Sequence, residues 1–175
     1  MRKHLIKNIL LVMPVSLFLL LSTALLSCAK KENNKIDLVN KNGLLCRPGS
    51  NVPFTGRENA RLSGRIIEYD VVEGIKNGDF KILYSDGNPQ IVGQMVNNKN
   101  EGIWKYYYEN LRLESEGNFK NDIAEGKWIW YYWDGKLKEQ GSYVSGKRDG
   151  TWEIYDENGK ISAEKKFKNG ELINK

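Results

Sequence analysis

Few side chains in this chain have the type and spacing to do chemistry. Cys28 closes a largely apolar run from Ile9 to Leu26, interrupted by Pro14, Ser16, Ser22 and Thr23. A thiol in that place is a nucleophile at the end of an export-type segment. The single histidine, His4, precedes the same run, so the rest of the chain has none. That excludes Ser-His-Asp and Cys-His catalysis and the usual zinc sites, and neither a metal nor a cofactor is expected. Cys46 has no partner once Cys28 is committed, and reads as a packed apolar side chain. Asp86, Asp134 and Asp156 stand in or beside turn sequences, where a carboxylate holds a turn rather than works as half of a glycosidase pair.

Arg2, Lys3 and Lys7 lie ahead of the apolar run, with no acid among them. The junction Leu25-Leu26-Ser27-Cys28 resembles the lipobox of bacterial lipoproteins, with a small residue before the cysteine. That resemblance implies cleavage after Ser27, a diacylglyceryl group on Cys28, and an anchor in the cell envelope. Ala29 in place of an aspartate implies the outer membrane if the cell has two, and otherwise the outer face of the cytoplasmic membrane. The other reading of the run is an uncleaved transmembrane span. Residues 28–35 then comprise the lipidated cysteine and a polar tether. The whole chain carries 27 basic and 22 acidic residues, but setting the three N-terminal cations aside leaves 24 against 22. Lysine and glutamate alternate through the remainder, so no nucleic-acid partner is expected.

What organises the chain is a repeat. Gly78, Gly102, Gly126 and Gly150 recur at a strict 24-residue period, and two places after each comes a large aromatic: Phe80, Trp104, Trp128 and Trp152. Further columns run in phase: Leu83, Tyr107, Tyr131 and Tyr155; Met95, Phe119, Tyr143 and Phe167; and turn pairs such as Asp86-Gly87 and Asp134-Gly135. Self-similarity at a fixed period means an array of one supersecondary unit.

The unit is a hairpin. Trp128-Ile129-Trp130-Tyr131-Tyr132-Trp133 is rich in strand formers. Asp134-Gly135 is read as a tight primed turn with positive φ angles. On the return, Leu137, Glu139, Gly141 and Tyr143 are read onto one face. Glycines 93, 117 and 141 leave room there for a neighbouring Trp or Tyr ring. Hairpins too small to stand alone must pair edge to edge. The fold class is therefore all-β: an elongated, single-layer antiparallel meander of tandem 24-residue hairpins, with no helix after residue 50. The units are 78–101, 102–125, 126–149 and 150–173, together 78–173; residues 36–77 form a degenerate leading repeat or cap, and 1–27 the signal.

The phrase G-x-W-x-x-Y-x-x-(D/N)-G-K, seen from Gly126 through Gly150 and less completely from Gly150 through Gly170, resembles the bacterial variant of the MORN repeat. Asn51 to Gly56 is similar to the opening of the YwqK-like proteins, a family labelled as toxin–antitoxin antitoxins. The resemblance implies a hairpin array used as an interaction or scaffold surface, with no catalytic residues to carry over. Leu111 in place of a turn glycine, Lys165 in place of a strand glycine, and Asn98 and Asp122 where Gly146 and Gly170 stand later predict local distortion.

The Trp column is expected to be core, since a single sheet can bury rings only against one another. Trp133, Tyr107, Tyr131 and Tyr155 are read onto the opposite face as the candidate interaction surface. A protein partner fits it through aromatic hot spots; an envelope glycan or peptidoglycan strand stacked on those rings is the alternative. The membrane is a partner through the lipid anchor alone.

Overall fold

The structure, a computed structural model, describes residues 38–173. The export signal, Cys28 and the tether lie outside these residues. Among those described there is no helix. Two short strands, β1 (Val39–Lys41) and β2 (Leu44–Cys46), pair with each other. Eleven more make one sheet: β3 (Gly56–Leu62), β4 (Arg65–Val72), β5 (Ile75–Leu83), β6 (Pro89–Val96), β7 (Lys99–Tyr107), β8 (Leu113–Lys120), β9 (Ile123–Tyr131), β10 (Leu137–Val144), β11 (Lys147–Tyr155), β12 (Ile161–Lys168) and β13 (Glu171–Leu172). Their spatial order is their chain order. The sheet is the antiparallel meander of tandem hairpins that the 24-residue columns predict.

Its core lies on one face. Trp104, Trp128 and Trp152 are exposed by only 4%, 7% and 0%. Each indole lies flat on a glycine of the preceding hairpin, Gly93, Gly117 or Gly141, where a Cβ would overlap the ring. Phe119 and Tyr143 stand edge-on between successive indoles and Phe167 edge-on against Trp152, with interplanar angles of 77–87°. Edge-to-face rings place the positive rim of one on the negative face of the next. Burying one indole removes about 200 Å² from water, worth roughly 5 kcal/mol at 25 cal/mol per Å². Trp128 and Trp152 also donate from Nε1 to the carbonyls of Asn118 and Ser142, both at 3.2 Å.

Lys165 fits this scheme. It pairs with Trp152 in the column of glycines, and among the described residues no indole lies upon it. The strand there is regular, so the predicted distortion is absent. Arg148 covers the last indole instead, its guanidinium carbon 3.9 Å above the Trp152 ring. At the other end Tyr69 fills the same column and stacks beside Phe80, centroids 6.3 Å apart. Tyr69, Val71 and Leu38 are buried there, packed with Leu45 and Phe54. The β1–β2 hairpin is tied on by Leu45 N–H to Gly74 O at 2.8 Å, and by Gly74 N–H to Phe54 O at 2.7 Å. Cys46 is 1% exposed and unbridged, the packed side chain its isolation predicts.

The two kinds of turn are the reverse of the sequence reading. Of Asp134-Gly135 only the glycine has positive φ, at 88°. Tyr132 N–H bonds to Lys136 O at 2.7 Å, and Gly135 N–H to Tyr132 O at 2.8 Å. This is a three-residue loop, a type I turn followed by a left-handed residue. The Asp134 carboxylate accepts from Lys136 N–H at 3.0 Å, a local bond that favours the longer loop. The primed turns are the others: Asn97-Asn98, Asn121-Asp122, Ser145-Gly146 and Asn169-Gly170, with φ between 50° and 89° at both residues.

Nor do Asn98 and Asp122 distort their hairpins. Both take left-handed φ, 64° and 68°, which these side chains tolerate. Their side-chain oxygens accept from Lys76 N–H and Asn100 N–H at 2.8 and 2.7 Å. Leu111 keeps the loop shape as well, at φ 67°, donating to Tyr108 O at 3.0 Å. A further departure lies in β10, where a bulge sets Leu137 opposite Tyr131 and Glu139 opposite Trp130. Paired residues share a face, so Leu137 joins Tyr131 and not Glu139, as the alternation had placed it.

Candidate functional site

With the rings gathered on one face, the other carries the remaining chemistry. Tyr107, Tyr131 and Tyr155 lie there, at the ends of β7, β9 and β11, and all three are half-buried. Tyr155 Oη donates to Glu153 Oε2 at 2.7 Å, and Gln140 Nε2 donates to the same oxygen at 2.6 Å. The bond to Glu153 pushes the Tyr155 phenol up and draws the Glu153 carboxyl down. Tyr131 is pushed up mainly by burial and then by Glu116, which pairs with Lys105 at 3.6 Å.

Trp133 is placed differently from the expectation. It follows the end of β9, in the three-residue loop, and is 56% exposed. Its ring meets Tyr108 at 5.1 Å and 53°, and its carbonyl accepts from Asn110 Nδ2 at 2.9 Å. The structure therefore joins Trp133 to the loop edge, while Tyr107, Tyr131 and Tyr155 lie on the sheet.

One column escaped the sequence reading. Tyr84, Tyr108 and Tyr132 donate from Oη to the carbonyls of Tyr107, Tyr131 and Tyr155 at 2.7–2.8 Å. Each ties its loop to the next hairpin. The signal was present: tyrosine recurs there with the period of the repeat, at Tyr84, Tyr108 and Tyr132, with Asp156 in the fourth place. A second set of ties runs along the primed turns. Asn77 Oδ1, Glu101 Oε2 and Glu125 Oε2 accept from Asn97, Asn121 and Ser145 N–H at 3.3, 2.9 and 2.8 Å.

The carboxylates are thus occupied with structure. Asp86 accepts from Asn88 N–H, and Asp156 from Asn158 and Lys160 N–H, all at 2.9 Å. Among the described residues no cluster of three His, Cys, Asp or Glu side chains could hold a metal. The depressions on the polar face are open ones. One of about 520 Å³ is lined by Ile103, Lys105, Glu116, Gly117, Lys127 and Ile129. Such a surface can bind by area and pattern, and it lacks the convergent groups that catalysis requires.

The hairpins β7–β8, β9–β10 and β11–β12 each correspond to one stretch of a known family. Residues 100–121, 124–145 and 148–169 match the MORN repeat variant. A search of curated proteins finds no match to the chain. MORN repeats are in general binding repeats, for proteins or lipids, and not enzymes. The β5–β6 hairpin lies outside the matched stretches and has Phe80 where the matched hairpins have Trp104, Trp128 and Trp152. Gly93 nonetheless receives the Trp104 indole, so it serves as the floor for the first matched unit.

Proposed function

We propose that this chain is a non-enzymatic protein of a bacterial cell envelope, anchored by lipid on Cys28, whose repeat sheet is a protein-binding or scaffolding surface. One observation carries the reading: the column indoles Trp104, Trp128 and Trp152 are packed on one face at 0–7% exposure. The opposite face is thereby freed from core duty and presents charged and aliphatic side chains in fixed columns. A rigid array with a patterned face suits a partner that reads several hairpins at once. The polar stretch after Cys28 gives the sheet reach from the membrane.

Trp133 supports a second reading. An exposed indole beside Tyr108 is a platform for a sugar ring, and the partner would then be an envelope glycan. Affinity capture from detergent-solubilised envelope, with residues 29–175 as bait, separates the two. A bait carrying Trp133→Ala and Tyr107→Ala runs beside it. A protein enriched by the parent and lost with the substituted bait supports protein binding. Retention on purified, protease-treated sacculi with no enriched protein supports the glycan.

A further inference from the structure

At the three primed turns between β6 and β11 the last pair of the polar face meets across the hairpin: Val96 with Lys99, Lys120 with Ile123, Val144 with Lys147. Read across β6 to β11, these six form one row in the order Val, Lys, Lys, Ile, Val, Lys. Val96, Ile123 and Val144 are exposed by 46%, 48% and 50%. Aliphatic groups held in water in a line are unusual for a surface with no role.

The row itself carries three lysines and no acid. The carboxylates beside it are already engaged: Glu101 with Asn121 N–H, Glu125 with Ser145 N–H, Asp122 with Asn100 N–H, and Asp149 with the Lys168 ammonium at 3.1 Å. Lys99, Lys120 and Lys147 make no ion pair among the described residues. The carboxylates therefore turn in toward the turns and the ammonium groups face out. A complement must supply acids opposite the lysines and apolar side chains opposite Ile123 and Val144.

We infer that this row binds an acidic protein segment carrying two aliphatic side chains at alternate central positions, laid in extended form across the strands so that both face the row. It rests on the reading of the sheet as a protein-binding surface, and names the partner's chemistry. Lys99 to Lys147 spans five strands, about 19 Å at roughly 4.8 Å per step, which some six extended residues cover. Adjacent strands rotate by roughly 20°, so the row turns through about 80°. A flexible segment follows that turn, whereas a flat bilayer meets only part of it.

The test is fluorescence anisotropy on the full chain in detergent micelles. The probe is a labelled ten-residue peptide with two glutamates on either side of a Leu-Ser-Val centre, which puts the two aliphatic side chains on one side of an extended backbone. Micromolar binding is expected, at least tenfold weaker for Lys99→Glu/Lys120→Glu/Lys147→Glu and weaker again in high salt. Ile123→Ser should weaken it at least threefold without touching a charge. Circular dichroism checks that these exposed substitutions leave the sheet intact, and the milder Lys→Gln triple replaces the reversal if it does not. Equal binding of a peptide with lysines for glutamates, no binding, or binding undiminished in the triple variant overturns the proposal. So does preference for anionic vesicles over the peptide. If envelope capture is lost with Trp133→Ala/Tyr107→Ala but kept in the lysine variant, protein binding stands and the row falls.

Discussion

The indole of Trp128 occupies the place where a side chain on Gly117 would be. The two belong to different hairpins, so this close approach joins neighbouring units and not the two strands of one. Cohesion passes from each unit to the next through a vacancy that only glycine provides.

Gly117→Ala should therefore destabilise the protein by about 3 kcal/mol or more. The ring cannot retreat, since Phe119 stands edge-on at 5.1 Å, and overpacking of a held ring sits at the high end of its range. Lys165→Ala, in the same column of the last hairpin, should cost less than about 0.5 kcal/mol. Urea midpoints of the two variants check this; similar losses would refute the neighbour-locking account.

Leu111→Gly should stabilise the protein by about 0.5–1 kcal/mol. Relief of a left-handed leucine is worth about 1–2 kcal/mol, less the extra freedom glycine has when unfolded. Leu111→Ala keeps the strain and should gain nothing. Thermal unfolding of the pair, compared with the parent, distinguishes them.

Tyr108→Phe and Tyr132→Phe should each cost about 1 kcal/mol, the net worth of a single hydrogen bond. Tyr143→Phe is the control, because Tyr143 contributes ring contacts without a hydroxyl bond. A loss as large at Tyr143 would mean that the hydroxyl ties along the loop edge carry no weight.

Excising residues 102–125 should leave a folded sheet shorter by one hairpin and less heat-stable, because Glu101 then meets Gly126 just as it met Gly102. Removing residues 102–124 shifts the chain by one position and sends the indoles to the wrong face. That variant should lose its near-ultraviolet signal and become open to protease.

Asp70 accepts from Arg57 Nε and Nη2 at 2.7 and 2.9 Å, and from Asp79 N–H at 3.0 Å. The Arg57 guanidinium holds its carboxyl below the usual range. A folded value below the unfolded one gives stability that is full above about pH 4 and drains away as pH falls through the folded value. Asp70→Asn should lower the urea midpoint at pH 7 and match the parent by pH 2. A constant gap at both would show that the ion pair is not the cause.

The sheet was legible because its information is columnar. Glycine, tryptophan and tyrosine recur with a single period, and the glycine column pointed to rings above it. The turns were misjudged since Asp-Gly favours a primed turn only when no local bond competes, and Asp134 makes one to Lys136 N–H. The bulge at Leu137 left no mark on composition. The tyrosine ties escaped because what Tyr84, Tyr108 and Tyr132 contribute is a hydroxyl bond to a carbonyl 23 residues on. The turn-side row escaped altogether because its identities swap columns: Val96 and Val144 share one with Lys120, while Lys99 and Lys147 share another with Ile123. Only pairing across the turns brings the alternation into line.

Lys165 and Asp156 have a consequence for size. Every hairpin adds two strands, about 10 Å of surface, so copy number acts as a ruler for whatever the face must span. The β11–β12 hairpin carries a cation, Lys165, where a following ring would rest and a carboxylate, Asp156, where a hydroxyl tie would start. Its graduation is therefore marked differently from those of the hairpins before it.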